Sequence, residues 1–323
     1  MSAVSISADS VAPIAVARRS GYDESIHHGI GVVVAADGAV VSSLGDVRTA
    51  IYPRSALKPL QASAMVSLGL DLPAHLLALV CASHSGEPDH LARVIQILDR
   101  HALGVDDLEN TKTLPLGAEA NEMARRTGVE PSSLQQNCSG KHAGMLATCA
   151  VNGWPTTGYR DPLHPLQQAI TDHLVRLGAA VDHVGVDGCG APTHVVRLVD
   201  LARSIGTISG PDAPEAGIAA AMRLHPWMVG GTGRDVTVWM ASIDGLVAKE
   251  GAAGVMVAGL ADGSAAAVKV ADGSDDTRRS VSVEMLRRLG VDVDAHEEAR
   301  RVAHVAVLGH GEKVGEITPL PWP

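Results

Sequence analysis

The chain has 323 residues, 46% apolar, 19% charged and 2% aromatic, with a formal net charge of −10, which supplies enough apolar side chains for a sizeable core and excludes a disordered protein. A chain with no Phe, 4 Trp, 3 Tyr and an acidic balance lacks the clustered cations and stacking rings that nucleic acid requires. No apolar run approaches the ~18 residues of a membrane span, the candidate Ala252 to Ala258 being strand-sized, and Met1 to Arg19 has no basic patch followed by an apolar core.

The expectation is therefore a cytoplasmic globular protein with neither nucleic acid nor membrane as partner, large enough for about two lobes. In chain order, β-branched runs at Ile30 to Ala36 and Ala39 to Leu44 flank Asp37-Gly38, a dipeptide suited to a tight hairpin. Leu57 to Leu70 repeats apolar residues at helical spacing, with Ser55 placed to begin it and Pro59 tolerable only in the first turn. Helical patterns follow at Ala74 to Ala82, His90 to Ala102, Gly140 to Val151, Leu166 to Leu177, Thr193 to Ile205 and Pro214 to Leu224. Beyond Gly230-Gly231-Thr232-Gly233, strands are expected at Leu246 to Ala248, Gly254 to Leu260 and Ala265 to Val270, then a helix over Thr277 to Leu289. Strands at both ends with helices between them predict an α/β sandwich. A mainly antiparallel sheet would come from residues 1–83 and 227–323, and an inserted helical lobe from about 84–226.

Several polar constellations carry chemistry. Ser55 and Lys58 form Ser-x-x-Lys at a helix start, a spacing that puts amine and hydroxyl on one face. Arg outnumbers Lys 20 to 6, so the remaining lysines are candidates for roles that need a removable proton. Ser83-His84-Ser85-Gly86-Glu87 follows an apolar helix and could present Ser83 as a proton shuttle, or could be an ordinary helix end. Cys138 in Asn137 to Gly144 and Cys189 in Asp187-Gly188-Cys189-Gly190-Ala191-Pro192 are soft ligands at helix starts. With a third donor from His142 or Lys141 they could hold zinc, and the alternative is two buried reduced thiols. Cys81 and Cys149 lie on apolar faces and read as packing residues; four cysteines in this length make no disulfide scaffold. Lys249-Glu250-Gly251 lies between two strands with small residues beside it, and Arg234 follows a glycine-rich turn where an anionic group could bind.

Taken together, Arg54-Ser55-Ala56-Leu57-Lys58-Pro59-Leu60-Gln61, the Ser83 cluster, Asn137 to Gly144, the Cys189 turn, and Gly231-Thr232-Gly233-Arg234 with Lys249-Glu250-Gly251 resemble the rhizobial-type L-asparaginases, the third class, or asparaginase II family, over about Ser25 to Gly273. The resemblance implies a fold similar to serine β-lactamases and glutaminases, a homodimer, and hydrolysis of L-asparagine to L-aspartate and ammonia. It also implies two Ser/Lys pairs, Ser55 with Lys58 and Ser83 with Lys249, and zinc held by Cys138, Lys141 and Cys189. Arg54, His142 and Asp187 would shape the substrate site. On this reading Ser55 attacks and Lys58 is its base, while Ser83 and Lys249 relay the proton; Lys269, on a neighbouring strand, competes with Lys249 as second lysine. A serine glutaminase or other small-amide hydrolase, a β-lactam-reactive acyl enzyme, and a non-catalytic amino-acid-binding zinc protein are the alternatives.

Overall fold

Alternating and β-branched segments from both halves of the chain meet in one antiparallel sheet in the computed structural model, which describes residues 4–213 and 217–323. Its strands lie in the order Val305–Gly309, Glu312–Pro319, Ala12–Arg19, Tyr22–Val34, Ala265–Val270, Val255–Gly259 and Val247–Gly251. Tyr22–Val34 is the longest strand and the hinge of this order. One of its edges is shared by Ala12–Arg19 and Val40–Leu44, and the other takes Ala265–Val270, with Val34 opposite Ala265 and Gly29 opposite Val270. The expected α/β architecture, with an antiparallel sheet drawn from both termini and helices packed on it, is present.

Val247–Gly251, Val255–Gly259 and Ala265–Val270 are buried at every position, so both faces of this part of the sheet are covered. Helices Leu198–Ser209 and Asp275–Arg288 both pack against Ala265–Val270. The predicted helices near residues 57, 74, 90, 140, 166 and 277 appear as Lys58–Ser67, Ala74–Val80, Pro88–Asp99, Ser139–Asn152, Pro165–Arg176 and Asp275–Arg288. The helix expected at Pro214 to Leu224 runs over Gly217–Leu224, and its first three expected residues lie outside the described residues.

One expectation is corrected. Thr193 to Ile205 is not a single helix: Pro192–Arg197 is a strand, and the helix begins at Leu198. The β-branched Thr193, Val195 and Val196 pair with Val181–Val186, and the end of the strand pairs with Thr49–Ile51, in a second, four-stranded sheet completed by Val4–Ser5. Residues 187–191 are thereby the turn of a hairpin rather than a helix approach, closed by Asp187 N–H on Ala191 O at 2.9 Å and Gly190 N–H on Asp187 O at 2.8 Å. Among the described residues, no helix is long and apolar enough to cross a membrane.

Two glycines set the spacing around the future site. A Cβ on Gly140 would lie 2.3 Å from Leu79 O, so only glycine lets helix Ser139–Asn152 pass so close to Ala74–Val80. A Cβ on Gly251 would lie 2.1 Å from Pro53 O, so strand Val247–Gly251 lies flush against the segment carrying Ser55. Backbone atoms cannot swing aside as a side-chain tip can, so Gly251→Ala must shift the strand or that segment. The variant is expected to lose about 1–3 kcal/mol of stability, the usual cost of overpacking. A melting temperature and catalytic rate equal to those of the wild type would show that the approach is not constrained.

Candidate active site

Ser55 lies in the 3₁₀ turn Arg54–Leu57, which runs directly into helix Lys58–Ser67, with Lys58 N–H bonded to Ser55 O. Residues three apart nearly eclipse in such a turn, which stacks Ser55 and Lys58 on one side. Arg54 enters the turn at φ 55°, a left-handed conformation that costs a side-chain-bearing residue energy and is held here by its surroundings. Lys58 is almost fully buried, and its amine donates to Ala82 O at 2.5 Å and to Ser83 Oγ at 3.2 Å; no hydrogen bond joins it to Ser55 among the described residues.

Ser83 follows helix Ala74–Val80 in an extended segment that neighbouring loops grip from two sides. Ser83 N–H bonds Val229 O at 3.0 Å, His84 N–H bonds Asn137 O at 3.2 Å, and Ser85 N–H bonds Gly230 O at 2.8 Å. The His84 ring is buried and neutral, its charged form disfavoured first by burial. Its Nδ1 accepts from Gly86 N–H, which leaves Nε2 as the donor to Ser139 Oγ at 2.8 Å. From the far edge of the main sheet, Lys249 reaches the same serine. Its amine donates to Ser83 Oγ and to Glu250 O, each at 2.9 Å, and pairs with Glu250 Oε1 at 2.9 Å. Two buried amines thus converge on one hydroxyl. Burial lowers Lys249 to about 8, with the positive charges of Lys58 and Arg234 adding to the shift and Glu250 opposing it. Lys269 is elsewhere: its amine caps Ala253 O at 2.5 Å and Val270 O at 2.7 Å.

Ser55 and Ser83 open into a cleft of about 730 Å³ whose walls include Asn137, Arg234, Glu250 and Arg278. That volume is in the usual range for small-molecule sites. A hollow of about 650 Å³ beside the Asp37-Gly38 turn, with Asp200 and Arg203 in its wall, contains none of the serines, lysines or cysteines singled out from the sequence.

The two cysteine turns also meet. Cys138 caps helix Ser139–Asn152 and its thiol is a hydrogen-bonding neighbour of Cys189, while Lys141, one turn along, donates to Cys189 Sγ at 3.2 Å. The Cys138 hydrogen bond, Lys141 and His142 pull Cys189 toward the thiolate, and Cys138 is correspondingly held as the thiol. Asp187 joins this group to the serine turn, for Arg54 Nε donates to its Oδ1 at 2.5 Å and Cys189 lies 3.7 Å from its Oδ2. His142 donates or accepts at Tyr159 Oη, 2.7 Å from its Nδ1; its Nε2 is buried on the Cys189 side with no regular hydrogen bond, and burial pushes the ring down to about 4. Cys81 and Cys149 are buried free thiols, each pushed up to about 12 by burial.

The sequence model of the L-asparaginase II family matches residues 15–319, nearly the whole chain. The chain belongs to the L-asparaginase II family. Membership makes it an asparaginase-type amidohydrolase acting on a small-molecule substrate. No curated protein matches the chain significantly.

In this L-asparaginase II protein the ten residues singled out from the sequence fall into two adjoining groups. Ser55, Lys58, Ser83 and Lys249 surround the cleft floor, and Cys138, Lys141, His142 and Cys189 form the thiol cluster, with Arg54 and Asp187 bridging them. The thiol cluster suits a thiophilic cation: two soft sulfurs, an amine already on one of them, and a ring nitrogen without a partner beside it. Among the described residues no three His, Cys, Asp or Glu side chains form a metal-ready group, and Lys141 is the further donor beside the two sulfurs. Burial by itself would lower Lys141, but Cys189, Cys138 and Asp187 outweigh it and hold the ammonium, which metal binding would have to displace.

Reasoning from sequence assigned no role to Glu250, Asp235 or Arg278. Glu250 is buried between Lys249 and Arg234, and Arg278 Nη2 pairs with Asp235 Oδ2 at 2.8 Å in the cleft wall. Strand alternation sends neighbouring side chains to opposite faces, so the adjacency of Lys249 and Glu250 hid their pairing. The geometry places Lys249 on Ser83 and Lys269 on backbone carbonyls away from it. Lys249→Met is expected to lower turnover at least 10²-fold, the scale of a lost proton-transfer group, and Lys269→Met to leave it within a few-fold. Equal losses in steady-state ammonia release would contradict this assignment.

Proposed function

We propose that the protein hydrolyses the side-chain amide of L-asparagine to L-aspartate and ammonia, using a serine nucleophile activated by lysine. The observation that carries this reading is the meeting of the Lys58 and Lys249 amines on Ser83 Oγ at the floor of a cleft that Ser55 also lines. An amide is a poor electrophile, so hydrolysis needs an activated nucleophile, a base and an acid for the departing ammonia.

Ser55 Oγ, which no protein group engages among the described residues, attacks the amide carbon, and its proton passes to Lys58 on the same turn. Ser83 connects Lys58 to Lys249, so the proton can be handed along and returned to the leaving nitrogen; ammonia departs from an acyl-Ser55. Water then attacks the ester, the same relay takes its proton, and Ser55 is restored. Two ammonium groups sharing one oxygen repel each other, which favours one of the pair being neutral and able to accept. Arg54, Asp187 and His142 lie outside the lining of the cleft, on the thiol side, and bear on the substrate site through the turn that carries Ser55, while Arg234 in the cleft wall supplies a cation for the substrate carboxylate.

Cys138, Lys141 and Cys189 are read as the holders of a zinc ion, which when bound supplies a fixed positive charge that orients substrate; the serine makes a metal hydroxide unnecessary. The family resemblance further supports a homodimer.

Ser55→Ala and Ser83→Ala are expected to lower ammonia release at least 10²-fold each, measured on asparagine and on glutamine so that the ratio of kcat/KM fixes the preferred amide. Unimpaired turnover in both variants would defeat the serine mechanism. Because the relay needs a neutral amine and Lys249 is lowered to about 8, kcat should rise as pH increases through about 8; a flat profile from pH 6 to 10 would exclude Lys249 from the proton relay. Metal analysis should find about one zinc per wild-type chain and none in folded Cys189→Ala, and zinc retained by that variant would remove Cys189 from the ligand set.

A further inference from the structure

Glu250 is a carboxylate that the proposed reaction leaves without a task, yet it sits at its centre. It is 7% exposed, and its Oε1 receives Lys249 Nζ at 2.9 Å and Arg234 Nη2 at 3.1 Å. Its other oxygen, Oε2, is buried without a hydrogen bond, as is Nη1 of the nearby Arg278. Removing a carboxylate from water without full compensation is costly, so a residue used only for packing would be better served by an apolar side chain. Each cation that Glu250 holds has a second contact with Ser83: Lys249 at Oγ, 2.9 Å away, and Arg234 at the carbonyl oxygen, 3.4 Å away.

We propose that Glu250 is a positioning residue for the nucleophilic site, a single buried carboxylate that ties the Lys249 amine and the Arg234 guanidinium to opposite ends of Ser83. The inference rests on the proposed function only for its catalytic consequence, because the carboxylate acts on Lys249 whatever the substrate. The charged and titratable groups around the Lys249 amine are Glu250, Lys58, Arg234 and the thiol of Cys81, and Arg278 also acts on Glu250. Burial would favour a neutral Glu250, but Lys249, Arg234 and Arg278 overcome it and hold the carboxylate down at about 2, so it stays charged throughout the working range. Its negative charge then opposes the burial and cation repulsion that lower Lys249. Removing that charge must move Lys249 further down, and removing Arg234 must move it up.

The test is a pH titration of the lysine side chains by NMR in protein carrying ¹³Cε-labelled lysine, with the Lys249 signal assigned by its loss in Lys249→Met. Glu250→Gln should shift the Lys249 midpoint to lower pH by about one unit or more, Glu250→Asp should keep it near the wild-type value, and Arg234→Gln should raise it. The acid limb of the kcat profile on asparagine should move in the same directions, which a packing defect would not produce. A Lys249 midpoint unchanged in Glu250→Gln, or moved to higher pH, overturns the proposal. If Glu250→Gln does not fold, Arg234→Gln decides alone, and a midpoint that fails to rise overturns it. Absence of ammonia release from wild type would refute the proposed function and leave the NMR comparison to decide the role of Glu250.

Discussion

The arrangement depends on keeping two lysine amines dry and close together. Lys58 and Lys249 are each almost completely removed from solvent and share Ser83 Oγ, so their mutual repulsion is exerted where water cannot screen it. Carbonyl oxygens at Ala82 and Glu250 and the Glu250 carboxylate offset that repulsion. On the proposed mechanism what remains uncompensated is useful, since it leaves Lys249 partly neutral near its lowered value of about 8 and so able to accept a proton. In the proposed reaction the fold thus sustains an electrostatic stress that prepares an amine to accept a proton.

The fold sustains it by bringing three distant segments to one point. The turn at Arg54–Leu57 leads from the short strand Thr49–Ile51 into a buried helix, the Ser83 segment is gripped by backbone bonds to residues 229–230 and 137, and Lys249 comes from the edge strand of the main sheet. Glycine at position 251 lets that strand lie against the Ser55 turn without a side chain between them. The second sheet contributes separately, because its hairpin holds Asp187 and Cys189 in one turn, facing Arg54 and Lys141.

Much of this was legible in the sequence, for identifiable reasons. The hairpin around Asp37-Gly38 and the helices with clear apolar periodicity were visible because local spacing alone determines them. The boundary at Leu198 was not, because Thr193 to Ile205 satisfies a helical period while its first residues are β-branched and find partners only in a strand 181–186 that shows little apolar signal. Strands Ala12–Arg19, Val305–Gly309 and Glu312–Pro319 are partly solvent-facing, the first and last without a clean alternation of buried and exposed positions, so they emerge only from pairing across the length of the chain. Within the site, lysine scarcity and motif spacing drew attention to Lys58, Lys141 and Lys249. Spacing did not show that Lys58 bonds Ser83 in preference to Ser55, or that Glu250 folds back on its own neighbour, since both depend on where the amine ends rather than on where the backbone begins.

The cationic floor bears differently on what enters the cleft and on what leaves. In the proposed reaction a neutral amide becomes a carboxylate directly above the Ser83 hydroxyl, so the charges that prepare the attack also attract its acid product. On that reading departure of aspartate becomes the step that this architecture slows, and the width of the cleft lined by Arg234 and Arg278 acquires kinetic weight.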